Sequence, residues 1–558
     1  MMNGHQPGST DRPAGRFLSP IVVLVIAALL FGWFLGGHDL WAPDEPVSAE
    51  RAREMLIDGH WLVTHVNGLV NTDKPPLFYW LIALFSLPFG AVTEITARLP
   101  SVLAALGTLA LTMRLGARWF DRRTAAVSGV LLATSFMFWD KARWSQIDAL
   151  LCLLIWVALS AFEAWRSDSL GGRSAGVVFW AAAALAVLAK GPIGLLLPIG
   201  IVVIVLIVER DLGSWRRFAP ILGPMVFVAI AGGWAAAATL WGPPEYSVIG
   251  ALREHFVERG VHGMHHIRPF WYYAERLPLS LLPWTGLLPG AVVLAWRNRT
   301  SAAFRLALVS AAFVVVFFSV STEKRDLYVL PAFPAIALML AALVAAAVGW
   351  RDEARPSRTV SPRWVTIGQG VIGAVFAAVG VAVPVLRSRV ELLPEWMIIA
   401  AAGILLATGL ATLISALRGR ALASVMATAA GMAILYLFAT ATIYPAMEPR
   451  KSARGFAQVV AEATASSRAA GHRVVAWRAG NVPIAIAFYS DGVYTVETDD
   501  PAVLADHLEQ DELVYAIVDA DELDEVPAHV RRRLVVVHEQ RLSRRHLQLV
   551  ANRPVDSG

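Results

Sequence analysis

Between residues 18 and 444 the chain returns about fourteen times to apolar runs of roughly 17–25 residues, each long enough to cross a bilayer as a helix. A chain so patterned has few options. Inside hydrocarbon every backbone amide needs an internal partner, and only helices or a closed barrel supply that. Charged residues make up only 16% of the sequence and the mean hydropathy is +0.56. Both values fit a polytopic helical membrane protein rather than one with a single anchor. The net charge of +5 is no sign of nucleic-acid binding, because the arginines sit in short loops between apolar runs. Cys152 is the one cysteine, so no intramolecular disulfide forms and the redox compartment is not legible. The first run lacks a small-residue cleavage site and reads as a retained helix behind a cytoplasmic tail, residues 1–17.

The arginines set the topology. The short loops carrying Arg114, Arg118, Arg122 and Arg123, then Arg166 and Arg173, Arg210, Arg216 and Arg217, Arg297, Arg299 and Arg305, Arg351 to Arg363, and Arg418 with Arg420 belong on one side with Arg12 and Arg16. They share a side only if one early stretch fails to span. That stretch is 77–90, which opens at Pro75-Pro76 and is interrupted by Pro88 and Gly90, and it reads as an interfacial helix. About thirteen spans follow, with the first loop, 37–96, on the non-cytoplasmic face. After Tyr444 the composition turns polar. Residues 445–558 read as a soluble α/β domain, with a helix over 452–469 and strands at 472–477, 492–497, 513–519, 533–539 and 546–551. The expected fold is thus an all-α polytopic membrane domain over 18–444 followed by a soluble α/β domain.

The polar residues of the outer loops need a reason. Asp44 and Glu45 follow the first helix in "WAPDEP". Lys74 precedes a double proline, Asp148 opens a span, and Lys190 sits in the break "AKGP". The loop 253–273 carries His265, His266 and Arg268 beside an aromatic cluster, and Lys324, Arg325 and Tyr328 precede a proline-rich span. Singly, each has a bland reading. Lysines and arginines at helix ends snorkel, aromatics form interface belts, and an acid at a helix start faces the dipole. Together, distant segments gather ionisable groups on one outer face, where such groups mark function. Cations beside an acid pair at the lipid interface suit an anionic, lipid-phosphate-linked substrate. The cations stabilise a phosphate leaving group, while the carboxylate acts as a base or stabilises positive character on a sugar. A transporter would instead carry inverted repeats and midplane charges.

The segments "WAPDEP" with "AREML" (52–56), "DKPPLFYWL" (73–81), "ARLPSVLAALGTL" (97–109), "AKGPIGLLLP" (189–198), "EHFVERGVHGMHHIRPFWYY" (254–273) and "EKRDLYVLPAFPAIAL" (323–338) resemble the polyprenyl-phosphate-dependent glycosyltransferases of the GT-C class. The resemblance is greatest to the bacterial 4-amino-4-deoxy-L-arabinose lipid A transferases and more distant to the protein O-mannosyltransferases. It implies a monomeric inner-membrane enzyme, with its active site facing the periplasm, that moves aminoarabinose from undecaprenyl phosphate to a lipid A phosphate. The alternative is a related transferase that moves another polyprenyl-linked sugar onto a protein or another glycan. The family's first-loop acid matches Asp44 as the catalytic residue, with Glu45 beside it. The lysine of its "KP" element matches Lys74, its span-opening acid Asp148, its "KR…Y" element Lys324, Arg325 and Tyr328, and its His-rich loop His265 and His266. Lys190 and Arg268 complete the substrate-binding set. No cofactor is required by this reading. A divalent metal, zinc or magnesium, held by Glu45 with His265 or His266 is compatible with it.

In a Cys152-free background, cysteines placed in 37–96 and in 445–558 are expected to react with an impermeant label from outside the cell. Labelling of 445–558 only after permeabilisation would refute the thirteen-span arrangement.

Overall fold

The computed structural model describes residues 19–218, 220–253, 267–350, 359–385, 393–543 and 545–554. The first helix, α1 (Pro20–Gly32), starts where Ser19 accepts from the Val22 amide at 3.3 Å. The chain leaves the bundle and forms α2 (Asp44–Asp58), whose first turn holds Asp44 and Glu45 and which stops at Gly59, φ +76°. A hairpin of β1 (His65–Val66) and β2 (Leu69–Val70) follows. Its two-residue turn, Asn67-Gly68, has φ +56° and +72°, the left-handed pair that such a turn demands. Helix α3 (Leu77–Ser86) runs into a short turn ended by Gly90. With that turn it is about 20 Å long, too short to cross the bilayer.

The bundle proper begins with α4 (Glu94–Trp119), opened by a reciprocal cap between Thr93 and Thr96. After it come α5 (Arg122–Ala133), capped by Asp121, α6 (Phe136–Arg143), α7 (Ile147–Arg166), α8 (Gly172–Lys190) and α9 (Ile193–Glu209). Among the described residues nine helices are long and apolar enough to span. Tyr272–Ser280 with Trp284–Arg297, bent by 111°, makes up to ten. The apolar run at 124–139 is not one helix: it breaks between α5 and α6, where Thr134 and Ser135 turn their hydroxyls back to the carbonyls of Val130 and Leu131. Pro20–Gly32 and Ile193–Glu209 are apolar but shorter. Late in the bundle, Arg363–Val385 and Glu395–Leu417 touch backbone to backbone. A Cβ on Gly373 would stand 2.8 Å from the Gly409 carbonyl, and one on Gly409 would stand 2.4 Å from the Ala377 nitrogen.

The C-terminal segment builds a five-stranded sheet of β3 (Val474–Trp477), β4 (Thr495–Thr498), β5 (Tyr515–Asp519), β6 (Val535–Leu542) and β7 (Arg545–Ala551), in the order β4-β3-β5-β7-β6. β3 lies parallel to both β4 and β5, and β7 runs antiparallel between β5 and β6. All five strands fall within a few residues of the runs read from sequence, and the expected helix at 452–469 is present as Arg454–Ala463 and Ala465–Ala469.

This sheet unit rests on the first loop. Leu40 donates its amide to Tyr489 Oη at 2.6 Å, and Asp39 accepts from Arg454 at 2.8 Å and from Ser452 at 2.6 Å. At the far end the Asn67 amide pairs with both backbone groups of Thr495, each at 2.9 Å. Helix α2 is therefore covered, which explains why a helix of charged residues has Glu50, Arg51, Arg53 and Glu54 buried. Arg53 grips Glu50 with two bonds of 2.7 Å. Glu54 accepts from the Gly68 amide at 3.1 Å, and its carboxyl is pushed up to about 8 by burial and by the Glu50 charge.

A carboxyl raised in the fold contributes stability that is complete below its unfolded value and is lost as pH rises through about 8. Glu54→Gln keeps the bond to Gly68 and removes the titration. The variant's melting temperature is expected to gain on wild type between pH 5 and pH 9, whereas an offset constant with pH would disprove the assignment.

Candidate functional site

The two adjacent acids of α2 have opposite surroundings. Glu45 points inward and is fully buried. Its Oε1 accepts from Arg98 Nε at 2.7 Å and from the Ser145 amide at 3.0 Å; its Oε2 accepts from Arg98 at 2.9 Å and from the Trp41 amide at 3.1 Å. Arg98, on the first turns of α4, spends its other protons on the carbonyls of Leu35, His38 and Asp39 at 2.6–3.0 Å. It also lies 3.0 Å from His38 Nδ1, a nitrogen that is in turn 2.8 Å from the Asp39 carbonyl. Burial and the Arg98 charge lower His38 to about 4, so the ring stays neutral. Burial alone would raise the Glu45 carboxyl, but the charge and hydrogen bonds of Arg98 outweigh it, and the carboxyl lies below its usual range. Nearby, Arg143 caps α1 by donating to the carbonyls of Leu30, Phe31 and Trp33 at 2.5–3.1 Å.

Asp44 faces the other way. Its side chain is 32% exposed and is gripped by Arg325 at 2.5 and 3.4 Å. Gln146 Nε2 donates to it at 3.0 Å. Gln146 is itself held by reciprocal bonds between its backbone and Ser101 Oγ at 3.0 and 3.1 Å. Burial acts to raise the Asp44 carboxyl; the hydrogen bond and charge of Arg325 more than offset this and leave it lowered. Next to this pair stands a second one. Asp148, at the start of α7, is ion-paired with Lys190 at the end of α8. The Lys190 ammonium sits 4.5 Å from the centre of the Tyr328 ring. The charge of Asp148 also acts on Arg325. Lys141, paired with Asp140 at 2.8 Å, borders the same group, where the charges of Asp326 and Asp44 act on it.

The structure thus brings together Asp44, Asp148, Lys190, Arg325 and Tyr328 from the expected set. Lys74 belongs to a neighbouring group, bound to Asp73 Oδ1 at 3.0 Å on the turn before α3. Two expected binding residues have other duties. Glu45 is committed to Arg98, as above. Lys324 is 3% exposed and closes the loop by donating to the carbonyls of Arg268, at 2.9 Å, and Ser321. Arg268 enters that staple through its backbone, while its side chain lies at the surface. His265 and His266 lie outside the described residues. Among the described residues no three His, Cys, Asp or Glu side chains converge as a metal cage would. Glu45, whose oxygens each accept two hydrogen bonds, does not fit the part of metal ligand assigned to it from sequence. Sequence reasoning missed Arg98, Gln146, Arg51 and Tyr79. Arg98 carried a usable signal, being a charge inside an apolar helical stretch.

Comparison with known proteins points the same way. Residues 73–234 match the family described as dolichyl-phosphate-mannose-protein mannosyltransferase. The chain is 34% identical over 313 residues to the undecaprenyl phosphate-alpha-4-amino-4-deoxy-L-arabinose arabinosyl transferase of Aeromonas hydrophila, covering 55% of this chain and 56% of that one. Its counterpart in Pectobacterium carotovorum is 30% identical over 373 residues, 66% of each chain. These matches therefore span a little over half to about two thirds of the relatives' length. The crystal structure of ArnT from Cupriavidus metallidurans bound to undecaprenyl phosphate superposes with a TM-score of 0.75 at 22% identity, covering 96% of this chain and 98% of that one. The chain has the GT-C glycosyltransferase fold. An oligosaccharyltransferase from Archaeoglobus fulgidus matches more loosely, with a TM-score of 0.53 at 13% identity, over 90% of this chain and 69% of that one.

The two acids should separate cleanly on mutation. Glu45→Gln leaves Arg98 as an uncompensated buried cation and is expected to cost about 3–5 kcal/mol, read as loss of a monodisperse folded peak in detergent. Asp44→Asn, one residue earlier, is expected to fold normally. Equal folding of both variants would overturn the division between a structural and an open carboxylate.

Proposed function

We propose that this chain transfers 4-amino-4-deoxy-L-arabinose from undecaprenyl phosphate to a phosphate of lipid A. It does so in the bacterial inner membrane, with the site facing the periplasm. The observation that carries the reading is the open Asp44–Arg325 pair beside Asp148, Lys190 and Tyr328 on a GT-C fold. The relatives named as aminoarabinose transferases supply the sugar and the lipid carrier. Thirteen spans fit this orientation. To the nine long helices and the bent pair, α1, α9 and the α5–α6 pair add three shorter crossings, and α3 stays at the interface.

Chemically, the bond between the sugar's anomeric carbon and the carrier phosphate breaks, and its electron pair goes to the phosphate. An oxygen of the acceptor phosphate forms the new bond at that carbon. Negative charge grows on the leaving phosphate, where Arg325 offers a planar two-pronged donor and Lys74 a mobile ammonium. The acceptor is already an anion and needs no deprotonation. Asp44 suits this reaction as a standing charge rather than a base. A carboxylate held below its usual range is a weak base and a persistent anion, so it stabilises positive character on the sugar or the sugar's amine.

Transfer by Asp44→Asn is expected to collapse while donor binding persists. In wild type the loss of activity through Asp44 protonation lies below the ordinary carboxylate range, because its folded value is lowered. Lys74→Ala and Arg325→Ala are each expected to cost about 2–4 kcal/mol, a roughly 30- to 1,000-fold loss in rate. Arg325→Lys should be a partial rescue, because an ammonium lacks the fork. The deciding measurement is mass analysis of lipid A from cells with and without the gene. Unchanged lipid A, with sugar appearing on protein or another glycan, moves the acceptor to that of a mannosyltransferase-like enzyme.

A further inference from the structure

Asp44 is not the one side chain of α2 turned toward this region. Seven residues later, two helical turns and about 10 Å along the axis, Arg51 leaves the same helix face. Its side chain is 4% exposed. The guanidinium donates to Tyr79 Oη and lies 4.8 Å from the centre of that ring. It donates to Asn71 Oδ1 at 2.8 Å and reaches Asp73 Oδ2 at 3.5 Å. Asn71 Oδ1 also accepts the Asp73 amide at 3.0 Å, and Asp73 Oδ1 holds the Lys74 ammonium at 3.0 Å. The turn that delivers Lys74 is thus folded around one buried cation whose helix also carries Asp44.

We propose that Arg51 is a positioning residue. Through Asn71 and Asp73 it fixes where the Lys74 ammonium stands relative to Asp44, with α2 as the rigid spacer between them. The inference rests on the reading of Lys74 as a ligand of the donor phosphate. Lysine needs such help, because its four-carbon stem is flexible and its head is a point charge without directional preference. Stabilisation of a developing charge depends on donors already in place, and a displacement of about 1 Å costs on the order of 100-fold in rate. Asp73, between two cations, offsets their mutual repulsion and keeps the ammonium near the turn.

The test is a double-mutant cycle on the purified full chain, with undecaprenyl-phosphate-linked aminoarabinose as donor. Arg51→Gln is expected to lower kcat roughly 30- to 100-fold in the otherwise native chain and to leave it almost unchanged when Lys74 is already alanine. Arg51→Lys should recover part of the loss. Because a buried cation is removed, Asp73→Asn provides the parallel case at a side chain that is 31% exposed, and the same non-additivity is expected. A purely structural Arg51 would lower kcat equally in both backgrounds, and that result overturns the proposal. If Lys74→Ala is slow but Arg51→Gln and Asp73→Asn are as fast as wild type, the positioning inference alone fails. If Lys74→Ala itself keeps the full rate, the donor-phosphate reading fails and takes this inference with it.

Discussion

The buried guanidinium of Arg98 sets the geometry on which the site depends. It gathers three carbonyls from the loop after α1, one neutral histidine and the Glu45 carboxylate. Those partners come from stretches that would otherwise be unrelated irregular backbone at the edge of a membrane bundle. Such backbone is tolerated only where its polar groups are satisfied, and here one side chain satisfies most of them. Ion pairs this deep gain little net stability over an apolar replacement. The gain here is definition, because the first turn of α2 is fixed in rotation. Successive residues on a helix point about 100° apart, so locking Glu45 inward turns Asp44 outward.

The C-terminal sheet unit adds a second level of control. It grips the chain just before α2, through Tyr489, Arg454 and Ser452, and just after it, through Thr495. The helix bearing Asp44 is therefore held at both ends by residues some four hundred positions away. Between those ends the helix tolerates charges at full burial because each has a partner, Arg53 on Glu50 and Arg51 on Asn71, Asp73 and Tyr79. Loss of the sheet unit would uncover these groups to water and release the helix.

Much of this was legible in the sequence, for identifiable reasons. The long apolar runs and β-rich segments are local patterns, and the helices and strands formed where those patterns lay. The gathering of Asp44, Asp148, Lys190, Arg325 and Tyr328 was legible because each sits at the end of an apolar run. Neighbouring letters hid what mattered most. Asp44 and Glu45 are adjacent and chemically alike, and only the tertiary position of Arg98 separates their roles. Lys324 and Arg325 pose the same problem, since one staples its own loop and the other meets Asp44. The break between α5 and α6 escaped notice because Thr134 and Ser135 interrupt an apolar run without proline or glycine. The dipeptide Asn67-Gly68 was a readable hairpin signal flanked by short apolar strands.

That hairpin has a further consequence. β4 is the outermost strand on one side of the sheet, and such a strand ordinarily exposes a row of amides and carbonyls that invites pairing with another chain. The Asn67 carboxamide occupies both outward groups of Thr495, as a neighbouring strand would. At that residue one side chain takes the place that a strand from another molecule would need. A margin closed in this way at Thr495 is harder for another chain to extend.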